Sequence, residues 1–178
     1  MVARENVTLE TFKQFADEHP DRLFELINGE IVEKMPGTTS NSGISAVLIM
    51  EVGPFCKQNH LPCFVSGEAG SYAVLGHAFA PDLAYKQTPL SKDYPDPIPP
   101  LWVVEMVSAN DKPRLVRAKR QVYLQAGILY WEIYPEEQSV DVYVPGQPVQ
   151  TFGIDDTLDV GDLIPGFTLA VRELFTSD

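Results

Sequence analysis

Three charged residues stand where this sequence should be apolar. Residues Leu101 to Val107 read LWVVEMV, six apolar of seven and rich in β-branched valine. That is the pattern of a buried strand, and Glu105 interrupts it. An unpaired buried carboxylate costs several kcal/mol or else shifts its pKa, so Glu105 needs a partner. Asp82 follows Pro81 at the head of a second strand-like segment, DLAYK. Lys119 belongs to a helical stretch over 112–126. There Leu115, Val122, Tyr123 and Ala126 share one face, and Lys119 falls among them at helical spacing. Singly, Asp82 reads as a turn residue and Lys119 as a lysine whose stem covers apolar surface. Jointly, they are three charges on the sheet-facing side of apolar segments. Two carboxylates brought together need a compensating cation, which a lysine or a divalent metal provides. Two carboxylates plus phosphate oxygens are the usual cradle of Mg²⁺, and a lysine beside them orients or helps deprotonate water. The chemistry expected is metal-assisted hydrolysis of a phosphodiester, with Mg²⁺, or Mn²⁺ in its place.

The charge distribution points the same way. The net charge is −12, which argues against a protein that coats nucleic acid by charge alone. Yet five of the thirteen basic residues fall within nine positions: Lys112, Arg114, Arg117, Lys119 and Arg120. Apart from Lys119 these lie off the apolar face, and they are the expected track for a DNA phosphate backbone. The plain alternative is a solvated helix face.

The elements that must position these residues read as follows. Thr8 is the expected N-cap of a short helix over 8–20. RLFELINGEIVEKM is a β-hairpin turning at Asn28-Gly29, and SNSGISAVLIMEVGPFCKQ is a long helix. Strands are expected in PCFVSGE, SYAVLG and APDLAYK. Residues 87–100 hold five prolines and form a surface loop before the Glu105 strand. The Lys119 helix opens near Asp111 and Pro113 and stops at Gly127, with Ser108 expected to cap it. ILYWEIYPEEQSVDVYVP is a second hairpin, and DLIPGFTLAVRELF a turn and short closing helix. The fold class is α/β with a mixed sheet. A chain of 178 residues is most simply one domain, 1–178. No signal peptide or membrane span is expected. Cys56 and Cys63 read as reduced core residues of a cytoplasmic protein, and His19, His60 and His77 are too scattered for a metal site.

These residues carry a resemblance. LFELINGEIVEKMPG, APDLAY, WVVEMVSAND, KRQVYLQAGILYW and LIPGFTLAVRELF, in that order over residues 22–175, resemble the Uma-type restriction endonuclease family of the PD-(D/E)XK nuclease superfamily. The resemblance implies a Mg²⁺-dependent endonuclease acting on DNA. Its core would be a restriction-endonuclease-like mixed sheet flanked by helices, with an added N-terminal β-hairpin. Asp82 matches the aspartate of "PD" and Glu105 the second acid. Val107 stands where the standard motif has lysine. In this family the lysine lies on the following helix in a K…Y…G pattern, matched by Lys119, Tyr123 and Gly127. Glu25 matches a glutamate common in the family, which the resemblance implies as a further group toward the metal; the plain alternative is an exposed strand residue. Asn41 stands where histidine is expected, and Tyr134 where YW–V–P segments carry aspartate. These departures leave open a weakened or inactive nuclease fold serving as a binding or scaffold module. A single site cuts one strand, so a twofold homodimer is expected, with VDVYV as an edge strand for pairing.

Overall fold

The structure, a computed structural model, describes residues 6–175. Thr8 caps α1 (Leu9–Asp17), its hydroxyl accepting from the Thr11 N–H at 3.2 Å. β1 (Phe24–Ile27) and β2 (Glu30–Glu33) form the expected hairpin. Asn28 and Gly29 take φ of 51° and 73°, the left-handed pair a two-residue turn requires. Next come α2 (Thr39–Gln58), β3 (Phe64–Gly67), β4 (Tyr72–Val74), β5 (His77–Phe79), β6 (Leu83–Lys86) and β7 (Trp102–Met106). α3 (Pro113–Gln125) leads through Gly127, φ 76°, into β8 (Leu129–Tyr134) and β9 (Ser139–Tyr143). β10 (Gln150–Phe152), β11 (Thr157–Asp159), a 3₁₀ turn (Gly161–Leu163), β12 (Thr168–Ala170) and α4 (Val171–Phe175) complete the chain.

The central sheet runs β10-β9-β8-β7-β6-β3, with β7 and β8 parallel and every other pair antiparallel. The parallel pair follows from the crossover, because α3 carries the chain back over the sheet between β7 and β8. Side chains alternate between the two faces. Leu83, Tyr85, Trp102, Val104, Trp131 and Ile133 pack with Ile44, Leu48, Val52 and Cys56 of α2. Ala84, Val103 and Tyr130 pack with Ala118, Val122 and Tyr123 of α3. Glu105 has the parity of Val103, and Asp82 that of Ala84, so both carboxylates fall on the α3 face. A second sheet, β2-β1-β5-β4, closes this face from the side, with Phe12 of α1 packed beneath it.

Several expectations are corrected. The strand expected in SYAVLG is β4, but it stops at Val74, and β5, which was not expected, follows it. The chain reverses at Leu75-Gly76, φ 48° and 82°, and β4 and β5 pair to extend the N-terminal hairpin into a four-stranded sheet. Leucine at positive φ is not a turn signal, which hid the reversal. VDVYV is not an edge: β9 lies between β8 and β10, and the outer strand is β10. Ser108 does not cap α3, because its N–H and hydroxyl both donate to Asp111 Oδ2, at 2.7 and 2.8 Å. The N-cap is Lys112, with Pro113 in the first turn. The proline-rich loop is pinned by Asp96, which accepts from Lys86 Nζ at 2.6 Å in a buried pair. Asp96 also accepts from the Ser91 and Ile98 N–H groups.

Candidate active site

The antiparallel register pairs Leu83 with Val104, which carries Asp82 opposite Glu105 at the end of the ladder. Residues opposite one another on adjacent strands share a face, so both carboxylates point toward α3. The Met106 N–H donates to Asp82 Oδ2 at 2.7 Å and ties Asp82 to the end of β7. From α3, Lys119 Nζ reaches Glu105 Oε1 at 2.5 Å and Glu25 Oε1 at 2.9 Å. Glu25 accepts in addition from the Ala80 N–H at 2.9 Å. Tyr123, one turn after Lys119, donates its hydroxyl to Glu105 Oε1 at 3.3 Å. Glu105, Lys119 and Glu25 therefore form one connected cluster, and Asp82 lies on the same face, held at the end of β7. Glu25, Glu105 and Lys119 are all buried.

A further lysine joins the cluster and was not singled out in the sequence. Lys34 Nζ donates to Asp82 Oδ1 at 2.8 Å and to the Ala80 carbonyl at 2.5 Å. The signal for it was present. The Asn28-Gly29 turn pairs Glu25 with Val32, and the Lys34 N–H continues the ladder to the Leu23 carbonyl. That register places Lys34 on the same hairpin face as Glu25.

The electrostatics follow from burial and crowding. Burial raises the Glu105 carboxyl to about 7, with the charges of Asp82 and Glu25 adding and Lys119 and Lys34 opposing. Burial alone would lower the Lys119 ammonium, but Glu105 and Glu25 outweigh it and hold the proton more tightly than usual. Burial, with Glu105 alongside, keeps the Tyr123 phenol protonated well above its ordinary range. Among the described residues, no three His, Cys, Asp or Glu side chains stand together as a ready-made metal cage.

The basic residues of α3 divide. Arg114 pairs with Glu30 at 3.0 Å on the surface, while Lys112 and Arg117 are exposed and form no salt bridge with a described residue. Arg120 turns inward. It binds fully buried Glu132 in bidentate fashion at 2.9 and 2.6 Å, with its guanidinium 4.5 Å from the Tyr143 ring centroid. Glu132 lies beside Glu105 in the parallel register and interrupts an apolar strand just as Glu105 does. Tyr134 donates to Glu132 Oε2 at 2.7 Å. Asn41 lies in the first turn of α2, where its N–H donates to Thr38 Oγ1 at 3.2 Å. A shallow cavity of about 210 Å³, lined by Val107, Ser108, Ala109, Tyr134, Glu136 and Glu137, opens where β7 and β8 end. A second, of about 380 Å³, lies away from the cluster against Gln138, Ile154, Arg172 and Phe175.

Among curated proteins none matches this chain. Among solved structures, it is similar to one described as a putative nuclease belonging to DUF820 from Anabaena variabilis. The two share 22% identity and a TM-score of 0.80 over 95% of this chain and 97% of the other, a likeness of fold. No helix among the described residues is long and apolar enough to cross a membrane. The family model described as "Uma2: Putative restriction endonuclease" matches residues 9–172, and the chain belongs to that family.

Proposed function

We propose that the protein is a Mg²⁺-dependent endonuclease that hydrolyses phosphodiester bonds of DNA. One observation carries this reading: strand register sets Asp82 opposite Glu105 on the α3 face, the Met106 N–H ties Asp82 to the end of β7, and Lys119 from α3 binds Glu105 directly. The donor set fits a hard divalent cation. Two carboxylates share a face and offer hard oxygen donors of the kind such ions take. Asp82 and Glu105 would hold the ion, with Glu25 beside them, and Mn²⁺ would substitute. When bound, the ion supplies charge to the scissile phosphate and lowers the pKa of a water.

The chain's own groups do the rest. Lys119, kept protonated by two carboxylates, presents a fixed positive charge toward which an anionic transition state can lean. Glu25 and the Tyr123 hydroxyl fix Lys119 and Glu105 in place. Lys112, Arg114 and Arg117 receive the flanking phosphates, with Arg120 anchored beneath them by Glu132. The whole of 1–178 acts as one domain. The alternative, a nuclease fold retained as a binding module, draws on the lysines that already pair the carboxylates and on the lack of a three-residue cage among the described residues.

The test is calorimetric titration with Mn²⁺ alongside cleavage of supercoiled plasmid in Mg²⁺, for the wild type, Asp82→Asn and Glu105→Gln. The nuclease reading expects wild-type binding and nicking, and loss of both in each variant. A folded wild type that takes up no Mn²⁺ and nicks nothing would leave the binding module standing.

A further inference from the structure

Lys34 has no assigned part in the proposed chemistry, yet it occupies the oxygen that a metal would need. Asp82 has two carboxylate oxygens. Oδ2 is committed to the Met106 N–H at 2.7 Å, inside the structure. Oδ1 accepts from Lys34 Nζ at 2.8 Å, and the same ammonium donates to the Ala80 carbonyl at 2.5 Å. The lysine side chain is 18% exposed and that of Asp82 14%, so the pair lies at the mouth of the cluster and not beneath it. Lys119 cannot take this place, because it is held between Glu105 and Glu25.

We propose that Lys34 is a built-in counter-ion of the cation site, which holds Asp82 neutralised until a metal displaces it. The proposal rests on the reading of Asp82 and Glu105 as metal ligands. An ammonium on Asp82 Oδ1 competes with a divalent ion in two ways. It uses the donor oxygen, and its charge repels the incoming ion across a few ångströms of partly buried space. A lysine suits this part because its charge is compact and rides on a flexible four-carbon stem, so it can leave without moving the backbone. Once displaced, it remains tethered beside the site, within reach of the phosphate oxygens the metal recruits. Metal loading is thereby weakened in the free protein and favoured when substrate arrives to receive the ammonium.

The test is Mn²⁺ affinity by calorimetry, without DNA, for the wild type, Lys34→Met, Lys34→Gln and Lys34→Arg. Thermal unfolding confirms that each variant is folded, and two neutral variants guard against one that is not. Both neutral variants should bind Mn²⁺ about tenfold more tightly than the wild type, and Lys34→Arg should stay close to it. A structural role alone would not sort the variants by charge. Equal or weaker Mn²⁺ binding by the folded neutral variants overturns the counter-ion proposal while leaving the metal reading intact. No Mn²⁺ binding by any of the four overturns both.

Discussion

Glu105 is the residue on which the local electrostatics converge. Its folded pKa of about 7 lies above the ordinary 4.5, so between those values the folded protein holds a proton that the unfolded chain has released. Stability from that proton is full below about 4.5 and is lost as pH rises through 7. Denaturant unfolding at pH 5 and pH 7.5 should therefore show the wild type losing on the order of 2 kcal/mol relative to Glu105→Gln. A difference that stays flat with pH would mean that Lys119 keeps Glu105 ionised throughout. The Tyr123 hydroxyl makes a smaller contribution at Glu105. Tyr123→Phe should cost about 1 kcal/mol of stability and slow plasmid nicking, with Mn²⁺ affinity nearly unchanged. Full nicking activity in that variant would show that the hydroxyl has no part in the reaction.

At the scale of elements, the site depends on segments far apart in sequence being held at fixed offsets. β6 delivers Asp82, and its other end is anchored through Lys86 to Asp96 in the proline-rich loop. The exposures are 1% and 7%, so breaking this pair strands a charge in the interior. Asp96→Ala should lower stability by about 3–5 kcal/mol in urea unfolding, whereas Lys86→Met with Asp96→Leu should cost much less. Hydrogen exchange over 87–100 should quicken in the single variant. An unchanged unfolding midpoint would show that the prolines alone shape the loop. The end of α3 has its own requirement. Gly127 sits at φ 76° with open space around the position of a Cβ. Gly127→Ala should therefore cost only the backbone term, about 1 kcal/mol.

The molecule as a whole is acidic, at −12, with its exposed basic charge on α3 confined to Lys112, Arg114 and Arg117. DNA affinity should fall as salt rises, because each neutralised phosphate releases condensed counterions. Replacing Lys112 and Arg117 with Ala should reduce the log–log slope by about two and weaken binding similarly for unrelated sequences. Mn²⁺ affinity should not change. If the slope is untouched, α3 is a solvated face and the DNA surface lies elsewhere. Cutting both strands of a duplex is simplest for a twofold dimer, and on this side of the central sheet the edge strand open to pairing is β10 rather than β9. Sedimentation at micromolar concentration should report a dimer, and a monomer that still cuts both strands would remove the idea.

The sequence by itself determined what local chemistry dictates. The Asn28-Gly29 turn, the Thr8 cap, α2, α3 and the β7 strand were all legible, because periodicity and turn residues act over a few positions. So was the oddity of Glu105 and Lys119, since a charge in an apolar stripe is visible without coordinates. Lys34 and Glu132 were legible in principle by the same two arguments, hairpin register for one and an interrupted apolar strand for the other. The β4–β5 reversal was not, because Leu75 at φ 48° is held there by the surrounding sheet and not by its own preference. Only the tertiary structure decided that Arg120 turns to Glu132, that β9 is covered by β10, and that Lys34 rests on Asp82. Each of these is a choice between partners beyond the reach of local pattern, 12 residues apart for Arg120 and Glu132 and 48 for Lys34 and Asp82. Local propensity is blind to that choice, which is settled by which faces the packed sheets bring together.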